Sequence, residues 1–175
     1  MHVMNEGNSE VPTEEAAAAD AHRQRIFLVV VDDSPEMDVA LRFACLRARH
    51  TGGRVALLYV LEPSEYQNWL RVGDLMRDEA RTAAEQLLQR LARQVNEIAG
   101  SMPVLYLREG PQRDELFDLI EEEPSISILV LGASAEKGGP GPLVQALTGK
   151  FIGRLRIPIT IVPGSLTEDD VDSLS

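Results

Sequence analysis

A chain of 175 residues, 44% hydrophobic and 26% charged, is long enough for one domain with a real core. Its net charge of -11, from 28 Asp+Glu against 17 Lys+Arg, opposes nucleic acid and anionic membranes, and its single cysteine excludes an internal disulfide or a CxxC site. No apolar run approaches the roughly 18–20 residues of a membrane span and no signal-peptide core opens the chain, so the expected location is cytoplasmic, with neither membrane nor nucleic acid as partner.

Residues 1–24 are polar, acidic and alanine-bearing, and are expected to form a disordered tail. The run Ile26 to Val31 is wholly apolar, which suits a strand buried on both faces. Ser34-Pro35 then predicts a helix, with a hydroxyl N-cap and a proline at the first helical position. Met37, Ala40, Leu41, Ala44, Cys45 and Ala48 recur at helical spacing along it, and Gly52-Gly53 closes it. Cys45 therefore belongs to the core.

Arg54 to Leu61 reads as a second strand. Glu62-Pro63-Ser64 breaks it, and Tyr66, Trp69 and Leu70 lead into a long helix whose buried stripe is Ala80, Ala84, Leu87, Leu88, Leu91, Val95 and Ile98. Val104 to Leu107 is a third strand, Gly110-Pro111 a turn, and Asp114 to Glu122 a helix burying Leu116, Leu119 and Ile120. Ile126 to Leu131 forms a fourth strand, which Gly132 is expected to end. The glycine-rich loop 137–142 leads to a helix near Leu143, and Ile159 to Val162 makes a last strand after Pro158. Residues 25–164 thus form the domain, and 165–175 read as an acidic tail.

Strands alternate with helices throughout, so the fold class is α/β, a Rossmann-like open parallel sheet of five strands with helices on both faces. In such sheets a ligand lies beyond the carboxyl ends of the strands at a switch point. With the first and fourth strands as neighbours, Asp32, Asp33 and Ser34 would face Gly132, Ser134 and the loop Lys137-Gly138-Gly139-Pro-Gly141. A glycine-rich turn entering a helix is where such folds hold phosphate, through free amides and the helix's positive end.

The loop matches no standard phosphate motif. A Walker loop fails because Val144 and Phe151 stand where glycine and Ser or Thr are needed, and GxGxxG lacks its last glycine. VVVDDSP looks like the first-strand signature of receiver domains. That family also needs an aspartate after the third strand and Lys-Pro after the fifth, where this chain has Leu107-Arg108-Glu109 and Val162-Pro163-Gly164. No histidine is placed for a triad, so no catalytic residue is assigned and an enzyme is not expected.

The order and spacing of IFLVVVDDSPEMDVALRFA, RVALLYVLEP, LYLREGPQRDELFDLIEEEPSISILVLGAS and IPITIVP resemble the universal stress protein family, over Arg25 to Pro163. The resemblance implies a sheet ordered 3-2-1-4-5. Members that bind ATP carry G-x2-G-x9-G-[ST] after the fourth strand, with the first-strand aspartate and a second-strand valine on adenine; here these would be Asp32 and Val60. Laid on this chain, the pattern meets Gly132, Ala135, Gln145 and Ala146. The first glycine is kept; the second and the glycine–hydroxyl pair are not, and the glutamine side chain stands where phosphate must approach backbone. Lys137 and the three loop glycines offer an alternative anion nest.

The expectation is a stress-response module acting through protein contacts with a degenerate nucleotide site. The alternative is an ATP or adenine-nucleotide switch with at most weak hydrolysis. The resemblance also implies a homodimer through the uncharged last strand, Pro158 to Pro163.

Overall fold

The computed structural model describes residues 24–63 and 70–175. All but Gln24 of the expected N-terminal tail, and Tyr66 and Trp69, lie outside the described residues. Five strands alternate with helices: β1 (Ile26–Val30), α1 (Pro35–Thr51), β2 (Arg54–Leu61), α2 (Leu70–Ala99), β3 (Val104–Glu109), α3 (Gln112–Glu122), β4 (Ile126–Ala133), α4 (Pro142–Thr148), β5 (Ile159–Pro163) and α5 (Glu168–Leu174). The strands form one parallel sheet ordered β3-β2-β1-β4-β5. This is the expected order, with crossover helices between parallel neighbours.

The period-2 alternation of β1 divides the interior. Phe27, Val29 and Val31 face α1 and α2, where they meet Leu41, Ala44, Cys45, Leu88, Leu91 and Val95. Leu28 and Val30 face the other way, towards Leu116, Leu119, Ile120, Val144 and Leu147 of α3 and α4. Strands buried on both faces need unbroken apolar runs, which is why the sequence shows them so plainly.

Helix α1 starts as its sequence predicts. Ser34 Oγ accepts from the Met37 amide at 3.3 Å, and such caps are worth about 1 kcal/mol. Gly52 ends the helix in the left-handed region, at φ 65°.

Three expectations are corrected. Gly132 does not end β4; it lies inside the strand opposite Val162, and Ala133 continues the pairing opposite Pro163. A β-carbon at Gly132 would stand 2.3 Å from the Glu36 carbonyl oxygen, so glycine is there to let the first turn of α1 approach the sheet. Ala80 is exposed, not part of the buried stripe, because the helix is exposed on every side from Asp74 to Ala83 and its core contacts begin at Ala84. The acidic segment after Ser165 is not a bare tail. Its last residues form α5, closed by a reciprocal capping box between Thr167 and Asp170, and Val171 buries against α1.

Candidate functional site at the strand carboxyl ends

Parallel strands bring their carboxyl ends to one edge of the sheet, and register fixes what meets there. Val30 pairs with Leu58, and Val29 with Val130. Two residues beyond the first pair stand Asp32 and Val60; three beyond the second stand Asp32 and Ala133. Asp32, Val60 and the end of β4 therefore share one level across three adjacent strands, as a switch-point crevice requires.

Asp32 is exposed, yet one of its oxygens is committed. Oδ1 accepts from the Ser34 amide at 2.9 Å and from Ser34 Oγ at 2.5 Å. Ser34 Oγ in turn receives the Met37 amide, so Asp32, Ser34 and the α1 N-terminus form one chain of hydrogen bonds. Asp33 is exposed on the neighbouring turn. Its charge adds to burial in raising the pKa of Tyr59, burial being the larger cause. Val60 keeps 8% of its surface and faces the α3 side.

The loop after β4 folds on itself. The Ser134 amide donates to the Pro140 carbonyl at 3.3 Å, the Gly139 amide to Glu136 O at 3.3 Å, and the Glu136 amide to Ser134 Oγ at 3.3 Å. Gly139 and Gly141 take positive φ, 95° and 99°, which this turn requires of them. Pro140 and Pro142 carry no amide hydrogen, and Gly139 has given its own away. Of the residues from Gly139 to Pro142, only Gly141 has an amide to offer an anion. Lys137 and Gly138 are exposed at the tip of the turn. The Gln145 amide nitrogen lies 2.7 Å from where a β-carbon on Gly139 would sit, so this exposed side chain bends back from α4 across the loop.

The sequence-assigned residues thus form two groups, Asp32, Asp33, Ser34, Val60 and Gly132 on the sheet, and Ser134, Lys137, Gly138, Gly139, Gly141 and Gln145 around the loop. Glu36 was missed: its backbone occupies the space beside Gly132, and no residue-type signal marks a main-chain contact. Among the described residues no group of three or more His, Cys, Asp or Glu could hold a metal ion.

The family model described as the universal stress protein family matches residues 24–163. The chain belongs to the universal stress protein family. Its fold is similar to that of universal stress protein UspA from Lactobacillus plantarum, with TM-score 0.67, 19% identity, and 79% of this chain and 97% of that one covered. It is similar too to a universal stress protein solved in complex with cAMP, with TM-score 0.52, 19% identity, and coverage of 81% and 98%. An Arabidopsis thaliana universal stress protein family protein with AMP bound gives TM-score 0.54, 16% identity, and coverage of 80% and 91%. At these identities the likeness is one of fold. A comparison with curated proteins finds no match. Among the described residues of this universal stress protein, no helix is long and apolar enough to cross a membrane.

Proposed function

We propose that this universal stress protein acts through protein contacts, as a homodimer, and that its nucleotide site has lost its grip on phosphate. Gln145 carries the proposal. Its side chain lies over Gly139, where a triphosphate would have to approach backbone, and the two prolines beside Gly139 and Gly141 thin out the amides that would receive it. The missing hydroxyl at Ala146 removes a further hydrogen bond of about 0.5–1.5 kcal/mol. The homodimer is supported by β5. It is an edge strand with no charged residue, Ile161 is 40% exposed, and α5 docks on α1 and not along that edge.

A second reading is favoured by one observation: Asp32, with one carboxylate oxygen uncommitted, stands level with Val60 and the end of β4. That placement suits an adenine-nucleotide switch, and the AMP- and cAMP-bound proteins of similar fold give the ligand class to test. Calorimetric titration of ATP-Mg into nucleotide-free protein separates the two. The expected result is no heat up to millimolar ATP at two temperatures. Micromolar binding that disappears in Asp32→Ala overturns the proposal. Gln145→Gly combined with Ala146→Ser is expected to raise ATP affinity by about tenfold or more. An unchanged affinity removes the steric role given to Gln145.

A further inference from the structure

The family match covers residues 24–163, so α5 lies beyond it, whereas the helices that seat it lie within it. The seat belongs to α1 and α2. Val171 is 1% exposed, and Leu166 packs into the same core cluster as Val39 and Ile98. Arg42 grips Asp172 through two nitrogens at 2.7 and 2.8 Å and stands 3.8 Å from Glu168. Farther along α1, His50 Nδ1 lies 3.1 Å from the Ser175 carbonyl oxygen. A hollow of about 270 Å³ lies between the seat and its occupant, bordered by Asp38, Arg42 and Gln94 of α1 and α2 and by Leu166 and Glu168 of the segment that carries α5.

We propose that this groove is a docking surface for a short acidic amphipathic helix of a partner protein, and that α5 is its built-in competitor. The inference names the partner for the protein-contact reading above and rests on it. The chemistry of the partner is read from α5: a capped start, an aliphatic residue at the position of Val171, and an aspartate after it for Arg42. Seven residues are too few for a helix to stand alone in water, so α5 is held by its docking. Its ion pairs are exposed and screened by salt. A segment held this way opens at a small fraction of the global stability. A partner helix with the same pattern offers the seat the same aliphatic side chain and gives Arg42 the same carboxylate that α5 does.

The test uses the chain ended at Gly164 and a fluorescent synthetic peptide of the sequence Ser165–Ser175, followed by anisotropy. The peptide is expected to bind the shortened chain, and the full chain at least about tenfold more weakly. Arg42→Glu in the shortened chain should cost about tenfold or more, and about 0.5 M salt should weaken binding severalfold. A scrambled peptide of equal composition should not bind. Equal binding to the full chain, equal binding of the scrambled peptide, indifference to Arg42→Glu, or no saturation at millimolar peptide each overturns the proposal. If the shortened chain does not fold, the full chain with Val171→Asp and Asp172→Ala takes its place under the same criteria. Failure here with no ATP binding removes the surface alone, whereas micromolar ATP binding removes the reading it rests on.

Discussion

Cys45 lies on the buried face of α1, and burial pushes its thiol up to about 12, against a smaller opposing pull from Arg42. The folded protein should therefore resist alkylation at pH 8, and the modification rate should rise with urea in step with unfolding. Gly132 and Glu36 make the second residue-scale case. A β-carbon at Gly132 meets the Glu36 carbonyl carbon at 2.5 Å as well as its oxygen, and backbone cannot rotate away as a side chain can. Gly132→Ala should cost about 1–3 kcal/mol, read as a lower urea midpoint with an unchanged slope. In the sequence this glycine stands out for its place in a phosphate pattern. The contact that requires it is with main chain, which no side-chain pattern announces.

Among the elements, α5 responds most directly to solution conditions. The Thr167 backbone and hydroxyl hydrogen bonds hold Asp170 below the ordinary aspartate value, and the hydrogen bond from Arg42 does the same for Asp172. Depressed values mean that the favourable contribution is complete above the ordinary 3.8 and is lost as pH falls through the shifted values. The Val171 amide resonance should thus stay native-like down to about pH 4 and move towards its detached position below that, while core resonances hold. Salt should loosen the Arg42 pair and leave the Thr167 cap in place. In the sequence, four carboxylates among Glu168 to Asp172 read as a solvated tail, since such runs usually are. What outweighs that reading is local: Thr167 and Asp170 at capping-box spacing, one valine facing inward, and an arginine on α1 that is adjacent only in the folded chain. The stripe of α2 was legible from Ala84 onward because those residues have a sheet to cover. Ala80 keeps the same spacing but lies in the stretch from Asp74 to Ala83 that is exposed on every side.

The arrangement of the whole molecule was open to reading because parallel sheets demand so much of their strands. Five short apolar runs, the first four each followed by a helical pattern, leave few alternatives, and glycines and prolines mark the turns between them. The site was legible only as a location. The level shared by Asp32 and Val60 follows from register, whereas the fold of Gln145 over Gly139 and the use of loop amides by loop carbonyls depend on contacts that spacing does not encode. At this scale the open edge of β5 gives the oligomer prediction. Sedimentation of the native protein at tens of micromolar should show a dimer, and Ile161→Lys should return it to a monomer with its fold intact. A native monomer at that concentration would remove the β5 interface.

The five residues of β1 send alternate side chains into two separate hydrophobic interiors, and no other partition runs between those interiors along that strand. A close-packed interior transmits displacement and does not absorb it. The two halves of the molecule are therefore mechanically coupled through a layer one residue thick. A helix drawn away from α1 on one side, or pressed against α3 on the other, shifts the same backbone, and that backbone leads directly to Asp32.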